Sequence, residues 1–300
     1  MHNKKNYISL YTITKIMILI VAAFLLLSAI SCKQFFARAT MRTAIELYNK
    51  EAYSKACPLF YQASILRPND LKLKQSLGFC YMAQFQPDDN SPENQELVDK
   101  AATIFIDLIN KMPNNKLPEE ALISLYLSSN RYEEASKYLQ QRLQNNPKDT
   151  ETIKQIASIY LRKDDLEGAF QWYLRWAAVD PKSPMPYYSI CSHCWRKTYC
   201  EVNRCEDPNL AMEERQQYIM RGLEACQKAI EIDPQHAESL AYINLIYRAK
   251  AKWVDYGNPA EQQKSMDKAK EYYEMAKTIL EERKKQREAE QQKPSTAGSQ

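Results

Sequence analysis

One short segment carries four cysteines and a histidine at a spacing that could do chemistry. It reads Cys191-Ser-His193-Cys194, and Cys200 and Cys205 follow after gaps of five and four residues. Thiolate and imidazole groups are ligands that zinc prefers, so a metal centre is one interpretation of this segment. Its second half lacks a C-x2-C or H-x3–5-H pair, however, and therefore departs from a standard zinc knuckle.

Outside this segment, the sequence has no arrangement typical of catalysis. Paired carboxylates such as Asp88-Asp89 and Asp164-Asp165 lie in polar stretches that favour solvated turns. Two carboxylates act as an acid–base pair only in a shaped pocket. We therefore predict that the protein is not an enzyme and that it uses no cofactor.

Composition excludes further classes of function. The 300 residues include five glycines and no Gly-x-Gly-x-x-Gly or Walker-type segment, which argues against a nucleotide-binding loop. The formal net charge of +4 arises from charges of both signs interspersed along the chain. Nucleic-acid-binding proteins instead cluster basic residues on one face, so we expect no nucleic-acid partner.

The helices that would position any functional site are clearest in the sequence between residues 150 and 181. Apolar residues recur at helical spacing on both sides of a polar turn at Lys163-Asp-Asp, which predicts two packed helices. Pro181 ends the second helix, because proline has no N–H to donate and clashes with the preceding turn. The residues that carry this pattern are Ile153, Ile156, Ala157, Tyr160, Ala169, Tyr173 and Trp176.

This unit resembles a tetratricopeptide repeat (TPR), whose period is 34 residues. The resemblance implies an all-α, right-handed superhelix of about six helix pairs, an α-solenoid in which stacked neighbours supply the core. The first repeat is a capping-type match, with Thr43 where leucine is usual. The predicted repeats span residues 37–70, 71–115, 116–149, 150–183, 184–236 and 237–283.

The repeat pattern also bears on the cysteines. TPR positions 8, 20 and 27 are small where two helices approach closely, and large residues at positions 4, 11 and 24 fill the gaps between pairs. Cys191, Cys194 and Cys226 fall at positions 8, 11 and 24, which favours packing in the core.

Three interpretations of the cysteines stay open. The first is a disulfide, with Cys200–Cys205 as the expected pair in an oxidising compartment. The second is a set of free core thiols, and the third is a metal bound by Cys191, Cys194, Cys200 and Cys205.

The resemblance further implies a concave groove lined by the first helix of each pair, at repeat positions 2, 5, 9, 12 and 13. These positions mix aromatic, basic and small polar residues, which suits a protein partner or an extended peptide. The carboxylate clamp of chaperone-binding relatives is absent. The residues predicted to line the partner-binding groove are Gln75, Phe79, Met82, Lys154, Ser158, Arg162, Tyr188, Ser192, Trp195, Arg196 and Arg248.

Residues 1–31 read as a signal peptide, with three lysines before an apolar run at 16–30. The run ends in Ala-Ile-Ser-Cys32, which resembles the lipobox of bacterial lipoproteins and implies lipid attachment at Cys32. Residues 32–36 then form the attachment site and a short linker. The alternative is an uncleaved signal anchor, and both tether the chain to the exported side of a membrane. Lys33 after the cysteine favours the outer membrane over the inner membrane.

Three of the repeats carry insertions between their two helices. Such turns project along one edge of a stacked array, so this edge is a candidate second binding surface. Tolerated surface drift is the other interpretation, because loop insertions cost little free energy. Residues 284–300 are predicted to form a charged tail that frays at its end.

Taken with the resemblance, these features predict a membrane-tethered TPR scaffold that mediates protein–protein interactions in the bacterial cell envelope. One alternative is an accessory lipoprotein of outer-membrane protein assembly. A second, from a different class, is a metal- or thiol-dependent redox module centred on the segment from Cys191 to Cys205. The partner is expected to be a protein or an extended peptide in the concave groove.

Overall fold

The computed structural model describes residues 33–87, 89–201, 204–205 and 207–291, together with Lys15 and Met17. The predicted lipid-attachment residue Cys32, the remainder of the signal peptide and the last nine residues lie outside this description. Within the described part of the chain, no helix is long and apolar enough to cross a membrane.

The described residues form helices that succeed one another in pairs, with one short strand pair. The helices are α1 (33–49), α2 (Tyr53–Leu66), α3 (Leu71–Gln84), α4 (Pro92–Lys111), α5 (Leu117–Ser128), α6 (Tyr132–Asn145), α7 (Thr150–Arg162), α8 (Leu166–Val179), α9 (Met185–Thr198), α10 (Met212–Ile232), α11 (Ala237–Trp253) and α12 (Pro259–Gln291). Strands β1 (Cys200–Glu201) and β2 (Arg204–Cys205) are antiparallel. Two helices fall in each phased repeat, so the prediction of TPR-like helix pairs is confirmed. Of the predicted tail, residues 284–291 continue α12.

The chain divides into two compact units, Met1–Ala135 and Ser136–Gln300, and the boundary falls within α6. In the first unit, α2, α3, α4 and α5 each pack against the next. In the second unit, α7 to α12 do the same, and the first helices α9 and α11 of neighbouring pairs also touch.

The repeats without insertions share one turn geometry between their two helices. Glu51, Asn130 and Asp164 each adopt a left-handed backbone, with φ of 58°, 57° and 58°. The N–H of the following residue then donates to the carbonyl five residues earlier, as from Asp165 to Tyr160 at 2.9 Å. This bond closes the helix C-terminus in a Schellman-type motif. A short turn of this kind brings the second helix back antiparallel to the first.

Small residues lie where paired helices approach most closely, as predicted. Alanines at these positions, such as Ala157 and Ala169, are fully buried. A Cβ atom built on Gly222 of α10 would lie 2.8 Å from Cys194 Cβ and 2.8 Å from Ile246 Cδ1. The α9–α10–α11 packing therefore leaves no room for even one methyl group at this position.

Two disulfides join neighbouring helices. Cys57 of α2 is bonded to Cys80 of α3, and Cys191 of α9 is bonded to Cys226 of α10. The disulfide interpretation is therefore confirmed, but with pairs other than the one expected. The remaining cysteine on these four helices, Cys194, is a free buried thiol. Burial raises its pKa to about 12, so it stays protonated.

The Cys200–Cys205 disulfide stays a prediction. The β1–β2 register places these two residues directly opposite one another. The description of β1 and β2 covers their backbone only.

Buried Arg215 anchors the insertion between α9 and α10. Its guanidinium donates to the carbonyl of Thr198 at 2.6 Å and to the carbonyl of Asp207 at 3.0 Å. The same group stacks over the Trp253 ring, 5.0 Å from its centroid. Because a buried charge costs free energy unless it is hydrogen-bonded, these contacts tie the end of α9 and the middle of the insertion to α10.

A buried ion pair fixes the turn between α11 and α12. Lys250 Nζ lies 2.8 Å from Asp255 Oδ1, and Ser265 of α12 donates to Asp255 Oδ2 at 2.6 Å. Burial acts to raise the pKa of Asp255, but the hydrogen bonds from Lys250 and Ser265 hold that pKa below its ordinary value. The aspartate therefore remains charged, and the start of α12 is held against α11.

We expect Gly222→Ala to lower the free energy of unfolding by about 1–3 kcal/mol, because the added methyl overpacks the contact with Cys194 and Ile246. Urea denaturation of the purified chain would measure this change. Gln217→Ala, on the exposed side of the same helix, should shift stability by no more than about 0.5 kcal/mol. Equal effects of the two substitutions would contradict the close approach.

Candidate functional site

A row of aromatic side chains connects α9 and α11 in the second unit. The ring of Tyr242 lies 5.6 Å from that of Tyr188 and 5.5 Å from that of Trp195, between ring centroids. The Trp195 ring in turn lies 5.0 Å from that of Tyr199. All four side chains are half-buried. We call Tyr188, Tyr242, Trp195 and Tyr199 the aromatic row.

Helical spacing and repeat stacking together build this row. Tyr188 and Trp195 lie seven residues apart, so they share one face of α9, and Tyr199 directly follows the last residue of that helix. Tyr242 reaches them from α11, the first helix of the next pair. The contacts of Tyr242 with Tyr188 and Trp195 are edge-to-face, the arrangement that aromatic quadrupoles favour, and the Trp195–Tyr199 contact is tilted. A continuous apolar strip with hydroxyl groups at its edge results.

The aromatic row is electrically neutral, and the first helix α11 that supplies Tyr242 also carries Arg248. Burial, followed by the neighbouring Tyr242 and Glu238, raises the pKa of Tyr188, so its phenol stays protonated. Arg248 is exposed on α11, and its Nε donates to Asn244 Oδ1 at 3.0 Å. The predicted groove residues Tyr188, Trp195 and Arg248 therefore all belong to the α9–α11 surface.

The other predicted groove residues of the second unit either contact another residue of the chain or are exposed to solvent. Lys154 Nζ lies 5.1 Å from the centroid of the Trp176 ring and 3.0 Å from Glu151 Oε2. Ser192 donates its hydroxyl to the carbonyl of Ser189 at 3.0 Å. Ser158 and Arg162 are exposed on α7.

Arg196 lies at a different site from the aromatic row. Its Nη2 atom is 3.1 Å from His193 Nδ1, and both residues line a cavity of about 580 Å³ beside the turn between α7 and α8. We call this the polar cavity. Its other charged and polar lining residues include Asp164, Asp165, Glu167, Lys197, Asp207 and Tyr218.

Two carboxylates that line the polar cavity, Asp207 and Glu167, are each paired with a basic residue. Lys197 Nζ lies 2.8 Å from Asp207 Oδ2, and this hydrogen bond lowers the pKa of the aspartate. Arg221 donates to both oxygens of Glu167, at 2.7 and 2.6 Å. Burial, followed by Glu167, raises the pKa of Tyr218 to about 12. These groups hold each other in place and the tyrosine stays protonated.

The first unit has its own predicted groove residues. Phe79 packs edge-on against Phe105, at 5.3 Å between ring centroids, and lines a cavity of about 240 Å³ with Ile45 and Tyr48 of α1. Gln75 accepts a hydrogen bond from the side-chain amide of Asn115 at 3.3 Å. Met82 is half-buried. The small apolar cavity at Phe79 is thus a second, separate candidate contact point.

A groove of about 1,180 Å³ between α2, α3 and α4 was not predicted. Leu77 and Tyr81 of α3 form its floor, and Tyr61 and Ile104 line its sides. The prediction considered only the first-helix positions of a TPR groove, whereas this groove is lined largely by second helices.

Tyr242 and Tyr199 are the members of the aromatic row that the sequence prediction missed. Tyr242 is one position away from the groove positions considered, and Tyr199 follows the last residue of α9. Neighbouring first helices place similar positions side by side, so the near-match of Tyr188 and Tyr242 in consecutive repeats was the available signal.

The metal interpretation does not fit the structure. Cys191 is bonded to Cys226 and cannot act as a thiolate ligand. Among the described residues, no group of three or more histidine, cysteine, aspartate or glutamate side chains could hold a metal ion.

Comparison with known proteins gives structural neighbours only. No protein-family model matches the chain, and no curated protein matches it. A crystal structure of MamA is 18% identical over 64% of this chain and 94% of that chain, with a TM-score of 0.41. YrrB, described as a TPR protein with an unusual peptide-binding site, is 19% identical over 71% of this chain and 94% of that chain, with a TM-score of 0.36. The C-terminal part of a TPR repeat-containing protein from Cytophaga hutchinsonii is 14% identical over 80% of this chain and 78% of that chain, with a TM-score of 0.45.

His193 makes the stability of the second unit depend on pH. Burial, followed by Arg196, lowers its pKa from 6.5 to about 4. The unfolded chain therefore binds more protons than the folded chain between these two values, and stability falls as the pH is lowered through that window. We expect the free energy of unfolding to drop by about 1–2 kcal/mol from this group between pH 7 and pH 5.

Urea denaturation at both pH values would measure the drop, with His193→Gln as the matched variant that does not titrate. The variant should lose this part of the pH dependence. An unchanged dependence would contradict the lowered pKa.

Proposed function

We propose that the chain is a TPR scaffold that binds a protein or an extended peptide through the aromatic row of α9 and α11. The observation that carries this proposal is the row itself: four half-buried rings in continuous contact on first helices of adjacent pairs. Aromatic side chains dominate binding energy at protein interfaces, because each offers a large rigid contact area with few rotatable bonds. A surface of this kind is suited to an extended segment.

The proposal includes a membrane tether. The lysine-rich start, the apolar run and the lipobox-like sequence before Cys32 support export and lipid attachment in a bacterial cell. In this proposal the scaffold faces the periplasm, at the outer membrane rather than the inner one. Two disulfides between helices also favour an oxidising compartment.

A binding role is favoured over an enzymatic one. Burial lowers the pKa of the histidine of the polar cavity to about 4, and Asp207 and Glu167 beside it are held in ion pairs with Lys197 and Arg221. A redox module is disfavoured as well. The free thiol of Cys194 is buried and has a pKa of about 12, whereas redox-active cysteines are exposed and have lowered pKa values.

Quantitative affinity purification from the cells that make the protein would test the binding surface. The double variant Trp195→Ala/Tyr242→Ala removes the centre of the aromatic row, so co-purification of the partner should fall by about tenfold or more. Tyr256→Ala, which removes an exposed aromatic ring outside the row, is the matched control and should keep the partner. Equal recovery with both variants would contradict the proposal.

The tether is tested separately. We expect Cys32→Ala to abolish incorporation of radiolabelled fatty acid and to block processing of the signal peptide. Labelling that persists in this variant would show that the lipid is attached elsewhere, and an unlabelled wild-type chain would favour the uncleaved anchor.

A further inference from the structure

Three exposed apolar side chains lie at one end of the first helix pair. Phe35 and Phe36, near the start of α1, are 73% and 65% exposed. Ile65, near the end of α2, is 61% exposed. Among the described residues, only Tyr256 exposes a larger fraction of a large apolar side chain than these three do. We call Phe35, Phe36 and Ile65 the apolar end.

Antiparallel packing of α1 and α2 places these residues at the same level of the pair. The rings of Tyr48 in α1 and Tyr53 in α2 lie 5.2 Å apart between centroids, which fixes the register of the two helices. Phe36 lies twelve residues before Tyr48, and Ile65 lies twelve residues after Tyr53. Because both helices rise equally per residue, Phe36 and Ile65 are level with one another. The apolar end is therefore where α1 begins and α2 ends.

The same end of the first two helix pairs is basic. It comprises the first two turns of α1 and α3, the last two turns of α2 and α4, and the connecting turns that follow α2 and α4. Its acidic residues, Asp70 and Asp107, are both held in ion pairs, with Arg67 at 3.0 Å and with Lys111 at 2.8 Å. The basic residues of this end are Lys33, Arg38, Arg67, Lys72, Lys74, Lys111 and Lys116.

The opposite end of these two pairs, where α1 and α3 end and α2 and α4 begin, has the reverse charge. Its basic residues are Lys50 and Lys55. The described acidic residues of this end are Glu46, Glu51, Asp89, Glu93 and Glu96. The first two pairs are therefore polarised along their helix axes, and the end that carries the exposed apolar residues is the one suited to a negatively charged surface.

The proposed membrane tether comes directly before the apolar end in sequence. Phe35 and Phe36 follow Cys32 by three and four residues. Even a fully extended chain of four residues spans no more than about 14 Å, so a lipid on Cys32 would hold both rings close to the bilayer surface. An uncleaved anchor, whose apolar run ends at Ile30, would also hold them there. Exposed aromatic rings beside basic residues are the composition that binds the interface of an anionic bilayer.

We infer that the apolar end inserts into the interface of a lipid bilayer and that the basic residues around it bind anionic lipid headgroups. The inference rests on the membrane tether of the proposed function and is independent of the aromatic row. The apolar side chains bury their surface at the boundary between headgroups and acyl chains, and the basic residues face the negative charge of the headgroups. The first two helix pairs therefore stand end-on, with their acidic end pointing away from the bilayer.

Quenching of fluorescence by lipids tests this inference on the full, lipidated chain in vesicles of phosphatidylethanolamine and phosphatidylglycerol. A fluorescent amino acid replaces Phe35 in one variant and Ile45 in a second, and the vesicle lipids carry brominated acyl chains as quenchers. Ile45 is the matched control, because it is an exposed apolar residue of the same helix, about 15 Å further along its axis. We expect loss of emission from position 35 and unchanged emission from position 45.

Reversal of charge tests the contact with the headgroups. Arg38→Glu/Lys72→Glu, at the basic end, should reduce the quenching at position 35, and vesicles of phosphatidylcholine alone should reduce it as well. Lys50→Glu/Lys55→Glu is the matched control, because it changes the net charge by the same amount at the opposite end. It should leave the quenching unchanged. All four substituted residues are exposed.

Co-flotation of the chain with the vesicles separates failure of the inference from failure of the tether. If the chain floats but position 35 is not quenched, the inference is wrong and the tether stands. If the chain does not float, both are wrong. Equal quenching at positions 35 and 45, or quenching that neither Arg38→Glu/Lys72→Glu nor neutral vesicles reduce, would also overturn the inference. An acidic protein that is recovered with the wild-type chain and lost with Arg38→Glu/Lys72→Glu, without quenching at position 35, would assign the basic end to a protein partner instead.

Discussion

Close approach of paired helices is the constraint on which the rest of this structure depends. Where Gly222 meets Cys194 and Ile246, an added methyl group would overlap its neighbours. Backbones this close bury small residues within a pair and push large side chains outward, toward the next pair. No pair can therefore cover its own apolar surface, and each one depends on its neighbour for a core.

The aromatic row follows from this dependence. First helices of adjacent pairs lie side by side, so Tyr188 and Trp195 meet Tyr242 and form a strip that no single helix could provide. The packing rule thus produces a lined surface where the first helices of neighbouring pairs meet.

The sequence predicted the features that depend on the repeat period, and it missed the features that depend on packing between neighbouring repeats. The 34-residue spacing located the helix pairs, because small and large residues recur at fixed positions. It could not pair Cys191 with Cys226, since the two lie on different helices and many pairings satisfy the same spacing. Arg196 was assigned to the groove by position, but contact with His193 places it at the polar cavity.

Site-specific photo-cross-linking in living cells tests the central claim most directly. One variant carries a benzophenone side chain in place of Ser192, which lies on α9 between Tyr188 and Trp195. A second variant carries it in place of Gln171, on the exposed side of α8. The account predicts a discrete cross-linked protein partner from position 192 and none from position 171. A partner captured only from position 171, or self-cross-links alone from position 192, would contradict the claim that the aromatic row is the binding surface.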